Sequence, residues 1–481
     1  MIARLILACF LLAASVASAA PPNLVFILAD DLGYGDLGCY GQGLIRTPNI
    51  DRMAAEGMKF SHFYAGGSVC APSRCVLMTG KHGGHGTVRG NAPTVVRWKQ
   101  SLTPEDLTVA SFLKGAGYAT AIAGKWGLGD WDTPGHPLLQ GFDLSFGYLD
   151  QIHAHMFYPE WLWRNREKVS LPNRVRAVPV GKDGNWGTGG ITTEAVVYSP
   201  KLMLDESLRF IEANRDRPFF LYFATTIPHA NNEAAKELGN GAEVPDLGEY
   251  RDKPWPEAEK GYAAMITYLD SQVGAILDRL KSLGLDEKTV VFFTSDNGPE
   301  KKEFAGYDTT FFKSSGPYRG FKRDHTDGGI RMPFIARWPG MIEEGGVSEH
   351  VGYFGDLFAT AAELCGKEVP AGLDSISLVP TLLGRSGEQR HHDFLYWEYL
   401  GGSLSSSQAV LVDGRWKAIR TGSATAPIEL YDLKSDAAET NNVAATHPEV
   451  IGKVEAYLST ARTPAENWPL FAPPAADGKQ K

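Results

Sequence analysis

A thiol, a proline and an arginine stand at fixed spacing in Cys70-Ala71-Pro72-Ser73-Arg74, with Gly80 placed to stop the helix that Pro72 can start. Cys70 therefore falls near a helix N-terminus, where unpaired N–H groups and the helix dipole favour negative charge. A cysteine in such a place is most often a small hydrophobe, so its chemistry depends on what else the chain brings to it. Asp30-Asp31 follow directly on an apolar run. Adjacent carboxylates repel unless a cation lies between them, which makes both candidate metal ligands. Asp296-Asn297 offer more oxygen donors after another apolar run, and an all-oxygen set selects a hard cation, Ca2+ or Mg2+, over zinc. Groups able to hold an anion or move a proton occur in similar places: Lys125 after Gly124, His229 after Pro228, and Lys322 or Arg323 in the basic, glycine-rich run 318–333.

Between Asp130 and Trp163 the chain is dense in aromatic, amide and imidazole groups, among them Gln151, His153, His155, Trp161 and Trp163. Such side chains suit stacking on a sugar ring or an aryl group. His153 and His155 have the spacing of a metal pair on a strand, but no third soft ligand is near, so the expectation is substrate contact and not zinc.

The elements that must position these groups are apolar runs of strand length at 23–29, 118–123, 218–225 and 289–294. Runs without alternation are buried on both faces, as in a parallel sheet. They end at Asp30-Asp31, Lys125, His229 and Asp296-Asn297 respectively. In an open parallel sheet ligands bind beyond the carboxyl ends of the strands, so these groups should converge. Further strands are expected over 58–64 and 333–338. Helices are expected over 47–56 with Thr47 as cap, from Thr103 to Gly115 or Gly117, and over 199–214, 257–283 and 353–365. Beyond Pro370 the elements shorten, with strands expected at 394–399, 409–412, 415–420 and 428–433, a hairpin at Asp413-Gly414 and a helix at 448–461. The expected fold is α/β. A large domain, residues 21–370, has a mostly parallel central sheet between helices, and a smaller C-terminal α+β domain, residues 371–481, has an antiparallel sheet with a helix on one face.

Residues 1–20 read as a secretory signal: Arg4, an apolar run from Leu5 to Ala14, and small residues before a cut after Ala19 or Ala20. No later stretch is apolar for long enough to span a bilayer, so the expectation is export to the periplasm or the outside, with no membrane as partner. Of five cysteines, Cys9 lies in this segment; if Cys70 is modified, Cys39, Cys75 and Cys365 cannot all pair, so disulfides do not hold the fold. A formal charge of −9 argues against nucleic acid, while a local cationic cluster can still bind an anion. The runs Gly401–Ser407 and Pro473–Lys481 read as loop or tail.

Cys70-X-Pro72-X-Arg74, followed by Thr79-Gly80-Lys81, resembles the signature of the type I sulfatases. The likeness continues through Asp30-Asp31-Leu32-Gly33-Tyr34-Gly35-Asp36, Gly124-Lys125-Trp126, Pro228-His229, Ser295-Asp296-Asn297-Gly298, Asp327-Gly328-Gly329-Ile330-Arg331-Met332-Pro333 and Glu429-Leu430-Tyr431-Asp432-Leu433. It implies an alkaline-phosphatase-like fold and hydrolysis of sulfate esters, on carbohydrate in preference to aryl groups because the chain is exported and its loop is aromatic. In that family the cysteine is converted to formylglycine, whose hydrate is the nucleophile; Cys70 takes that place here, and a formylglycine-generating enzyme is the implied maturation partner. By the same resemblance Ca2+, in preference to Mg2+, is bound by Asp30, Asp31, Asp296, Asn297 and the formylglycine at position 70. Arg74, Lys125, His229 and Lys322 would hold and protonate the ester, and Gln151, His153 and His155 would contact the substrate. One departure stands out: the family usually has histidine after Gly-Lys-Trp, where it helps release sulfate, and here the residue is Gly127, with Gln151 and His153 the candidates to fill the gap. The competing readings are a phosphate or phosphonate ester hydrolase on the same fold and a non-catalytic protein that binds sulfated glycans.

Overall fold

The computed structural model describes residues 21–401 and 405–471. The expected signal segment, part of the Gly401–Ser407 loop and the tail from Pro473 lie outside the described residues. The centre is a ten-stranded sheet in the order Gly346–Ser348, Met58–Phe60, Phe334–Arg337, Thr289–Ser295, Asn23–Ala29, Phe219–Ala224, Ala119–Lys125, Leu144–Tyr148, Trp161–Arg164, Glu167–Ser170. The five strands from Thr289–Ser295 to Leu144–Tyr148 run parallel, and the pairs Phe334–Arg337 with Thr289–Ser295 and Leu144–Tyr148 with Trp161–Arg164 are antiparallel.

Continuous apolar runs form these strands because both faces are covered. Leu24, Phe26 and Leu28 pack into one core, whereas Val25, Ile27 and Ala29 pack into the other. The second core is closed by the helix Glu257–Ser282, whose Tyr262, Ile266, Leu269, Val273 and Ile276 recur at helical spacing and are buried.

Several boundaries differ from the sequence expectation. No helix starts at Thr103: the Asp106 carboxylate turns back onto the Thr103 amide at 2.8 Å, and the helix begins six residues later, as Val109–Gly115. Its capping box is Thr108 with Ser111, each side chain bonded to the other's amide. Thr47 precedes the helix Pro48–Ala55 but does not cap it with its side chain. Instead Asp270, on the Glu257–Ser282 helix, accepts from the amides of Asn49 and Ile50 at 2.8 Å. The single strand expected over 58–64 splits, Met58–Phe60 joining the large sheet and Phe63–Tyr64 pairing with Gly352–Tyr353. The region 130–163 is not one long loop, since it contributes two strands to the large sheet, and a hairpin, Arg174–Val180 with Gly187–Glu194, follows it.

Past residue 370 a separate antiparallel sheet runs in order Phe394–Tyr399, Ser407–Val412, Trp416–Thr421, Ile428–Asp432, with the helix Pro448–Leu458 behind it. Asp413 and Gly414 both take positive φ, as the hairpin turn requires. Its opposite face joins the first core, where Trp397 Nε1 donates to the Ala65 carbonyl at 2.8 Å and Lys417 Nζ meets Asp327 at 2.5 Å. Cys39, Cys70, Cys75 and Cys365 are all free thiols. None of the described helices is long and apolar enough to cross a membrane.

Candidate active site

The four strands whose ends carry Lys125, His229, Asp30-Asp31 and Asp296-Asn297 are adjacent and parallel, so their carboxyl ends lie side by side as expected. Lys125 is the last residue of its strand and not beyond it. Successive strand side chains point to opposite faces, yet Asp30 and Asp31 must face one point; Asp31 does so by entering the left-handed region at φ 63°, which aspartate tolerates better than most residues. The Cys70–Thr79 helix aims its N-terminus at the same place. That helix is buried along its entire length, and Asn91 Oδ1 caps it by accepting from the Ala71 amide at 3.1 Å.

Each carboxylate has its own nearest cation, and Arg74 also comes within 3.6 Å of Asp30. Lys125 Nζ lies 2.8 Å from Asp30, Lys322 Nζ 2.8 Å from Asp31, and Arg74 forks onto Asp296 at 2.8 and 3.1 Å. Arg74 also donates to the Lys125 carbonyl at 2.6 Å. Burial works against the charged form of Asp30 and Asp31, but the cations around them, Lys125 foremost at Asp30 and Lys322 at Asp31, hold both below the ordinary carboxylate value. Asn297 Nδ2 donates to Asp31 at 2.7 Å, while its Oδ1 is buried with no hydrogen-bond partner. Asp30, Asp31, Cys70 and His229 each present a ligand atom within 4.8 Å of the others. An orphaned amide oxygen beside three buried carboxylates fits a hard divalent cation.

Burial pushes the Cys70 thiol up to about 12, against the pull of Lys125 and Lys322. Its Sγ–H donates weakly to Asp30 at 3.7 Å. An unmodified thiol here is a poor nucleophile. His229 donates from Nδ1 to the Ala230 carbonyl at 2.7 Å, so Nε2 is its acceptor and receives Lys322 Nζ at 3.1 Å. Burial pulls this imidazole down to about 3, with Asp31 opposing, and the proton held by the pair is therefore on Lys322. Lys322 and Arg323 both line the cavity over Cys70, but they have different partners: Lys322 reaches Asp31 and His229, whereas Arg323, with φ 80°, forks onto Glu300 at 2.6 and 2.9 Å.

Over these groups lies a cavity of about 330 Å³ whose lining includes Cys70, Gln151, His155, Trp186, His229 and Lys322. Gly127 has φ 74°, and a Cβ there would run into the Gln151 amide. Gln151 Nε2 is buried and without a hydrogen-bond partner. His155 stacks on His229 with ring centres 5.1 Å apart and bonds Glu233 at 3.2 Å. His153 is not on a strand and does not line this cavity. It sits in a helical turn at 153–155, its ring against Trp161 at 4.0 Å, and burial lowers it to about 3.

Sequence reasoning missed Glu300, which fixes Arg323 and lies 3.7 Å from Lys322; its place three residues after Asn297 was the available signal. It also missed Ser73, which ties the Cys70 helix to the Asp296 carbonyl at 2.6 Å, and Asn91, for which no local signal exists.

A sulfatase family model matches residues 22–367, and a model described as the C-terminal part of N-sulphoglucosamine sulphohydrolase matches 318–463. The N-acetylgalactosamine-6-sulfatase of Rattus norvegicus is 35% identical over 393 residues, which span 76% of this chain and 66% of that protein. The N-acetylgalactosamine-6-O-sulfatase of Bacteroides thetaiotaomicron is 31% identical over 515 residues, covering 92% of this chain and 93% of its own. Among solved structures, Ps i-CgsB in complex with k-i-k-neocarrahexaose superposes with a TM-score of 0.75 at 25% identity, covering 93% and 97% of the two chains. Carboxylates, cations and a buried cysteine meeting at one sheet edge thus go together with a match over most of the sequence, and on both grounds the chain belongs to the sulfatase family of sulfuric ester hydrolases.

Proposed function

We propose that this protein hydrolyses a sulfate ester on a carbohydrate, with the residue derived from Cys70 as nucleophile. The observation that carries the reading is the balance of three cations, Arg74, Lys125 and Lys322, against the three carboxylates Asp30, Asp31 and Asp296 around Cys70. A divalent cation added to that balanced set leaves the site strongly positive, as an anionic ester requires. Asp30, Asp31, Asp296, Asn297 and the position-70 side chain would hold the ion, Ca2+ in preference to Mg2+. When bound, it supplies charge stabilisation for the non-bridging sulfate oxygens.

This chain's own groups do the rest. Converted to formylglycine, position 70 would present a hydrated aldehyde; one hydroxyl gives its proton to the neighbouring Asp30 carboxylate and attacks sulfur as the ester S–O bond breaks. Loss of the second hydroxyl's proton then re-forms the aldehyde as its C–O bond to sulfate breaks, and water restores the hydrate. Lys125 and Lys322 face the oxygens that gain charge. The proton for the departing sugar oxygen comes from the Lys322–His229 pair, where Lys322 Nζ holds it 3.1 Å from Nε2. Arg74 positions Asp296 and the end of the Lys125 strand. Gln151 takes the place of the missing histidine: its unpartnered Nε2 donates to a sulfate oxygen. His155 contacts the sugar beside His229 and His153 supports the wall behind it. Export through residues 1–20 and maturation by a formylglycine-generating enzyme belong to the same reading, as does the carbohydrate preference, which the named relatives share in their substrates.

The test is mass spectrometry of the peptide containing position 70, from protein made in a host that carries the maturation enzyme, together with sulfate release. A thiol replaced by an aldehyde supports the reading, and an active protein with intact cysteine refutes it. Sulfate and phosphate esters of one phenol separate it from a phosphate ester hydrolase, which would favour the latter ester.

A further inference from the structure

A second and larger cavity, about 780 Å³, adjoins the active-site cavity. Asp150 lines both, and a small hollow of about 20 Å³ beside Gly127 lies between them, touching Ala92 on the active-site side and Arg97 and Asp130 on the other. Its walls are the Trp161–Ser170 strand pair and the hairpin Arg174–Glu194, and the latter also sends Val180 and Trp186 into the active-site cavity. The two cavities thus share Asp150 and the hairpin as a common wall.

The chemistry of the groove is specific. The Trp131 indole is 52% exposed and has no ring partner among the described residues. Trp161 is clamped between the His153 ring at 4.0 Å and Lys168 Nζ at 3.8 Å, with Trp163 edge-on at 5.2 Å. Three carboxylates, Asp130, Asp150 and Glu160, and two cations, Arg97 and Lys168, line the groove. Asp150 accepts from the Ile152 and His153 amides at 2.9 Å, Glu160 from the Val175 amide at 3.4 Å, and Arg97 is taken up by Asp132 at 2.6 Å and Asp130 at 3.5 Å. Lys168 instead rests on the faces of Trp161 and Trp163 and has no carboxylate within 4.0 Å among the described residues. An indole face open to solvent takes the C–H face of a sugar, and an ammonium without a counter-charge takes an anion.

We propose that this groove is a subsite for an anionic sugar residue, one bearing a carboxylate or a sulfate, linked to the residue whose sulfate ester enters the active-site cavity. The ring lies on Trp131 and the anionic group faces Lys168, so the substrate is a chain of at least two sugars. The inference rests on the sulfatase reading for the neighbouring cavity, and its test is independent of turnover.

The probe is an unsulfated tetrasaccharide of alternating N-acetylhexosamine and glucuronate, with its carboxyl-reduced, neutral form as control; binding to the full chain is measured by calorimetry. The acidic probe should bind more tightly than the neutral one. Trp131→Ala should weaken binding of both about tenfold, and Lys168→Gln should abolish the preference for the acidic form, which Lys168→Arg should restore. A second measurement compares kcat/KM for a 6-sulfated monosaccharide and a tetrasaccharide ending in the same residue: the tetrasaccharide-to-monosaccharide ratio should fall about tenfold in Trp131→Ala. Equal binding of the two probes together with no effect of Trp131→Ala overturns the subsite, whether or not sulfate is released. Tetrasaccharide binding that depends on Trp131 and Lys168, in protein that releases no sulfate from either ester, upholds the subsite and overturns the sulfatase reading.

Discussion

The amide of Gln151 fills the space that a side chain at position 127 would need. With φ 74° at Gly127, the backbone strains any other residue there, and the Gln151 amide would have to move to admit one. Gly127→Ala should therefore lose about 1–3 kcal/mol of stability from the left-handed backbone, and more from the collision. Adding Gln151→Ala should recover the collision part alone, a positive coupling read from urea unfolding of the two single variants and the double.

Gln151→Ala by itself should raise KM for the sulfate ester by roughly tenfold or more, the cost of one hydrogen bond to a charged group. Thermal unfolding should hardly move, since Nε2 has no protein partner to lose. A sulfate-bound crystal structure in which Gln151 stands beyond hydrogen-bond reach would remove this role from it.

Chelation offers a third check. Every carboxylate of the site keeps a cation of the chain within 2.8 Å, so EDTA should leave the protein folded while abolishing sulfate release. Ca2+ should restore activity and raise Tm with concentration, as any ligand of the native state does. Unfolding on chelation would show that the ion pairs are not sufficient to hold the site.

Arg74→Lys should be far more damaging than its charge conservation suggests. A lysine cannot make the fork onto Asp296 and also reach the Lys125 carbonyl. Leaving Asp296 buried with a broken pair should cost about 3–5 kcal/mol, measured by urea unfolding, with sulfate release lost in parallel.

Away from the site, Asp327 is buried beside Lys417, Arg331 and the Tyr64 hydroxyl. Burial opposes its ionisation, but Lys417 and Arg331 outweigh that and hold it below its ordinary value of 3.8. The folded-state pKa is depressed, so its contribution is present in full above 3.8 and is lost as pH falls through the folded value. Asp327→Asn should destabilise the protein at pH 7 and flatten the acid limb of its stability profile.

The central sheet and the meeting of four strand ends were legible because a strand buried on both faces writes an unbroken apolar run, and the groups at its end follow within a few residues. What escaped depends on partners far away in the chain. The amides at the start of the Pro48–Ala55 helix are satisfied by Asp270, over 200 residues on, so no local cap could reveal them. Thr103 to Asp106 carries the pattern of a helix start, but Asp106 is committed to a turn and to the Thr87 hydroxyl. The strand pair Trp161–Ser170 is short, and the hairpin Arg174–Glu194 is largely exposed, so neither carries the unbroken apolar run of the central strands. The sequence places His153 with Gln151 and His155 among the expected substrate contacts, and only the fold shows its ring pressed against Trp161.

Every residue of the Cys70–Thr79 helix is buried, Cys70 itself at 2% exposure. An enzyme that rewrites the side chain at position 70 must grip several residues on each side of it, and in the folded protein none of them can be gripped. If position 70 is converted as proposed above, that chemistry is to be finished while the segment is still an open strand of polypeptide, and folding then seals in whatever has been made there. On that proposal a chain that folds too soon is locked as a thiol, and slower folding should enrich the finished form.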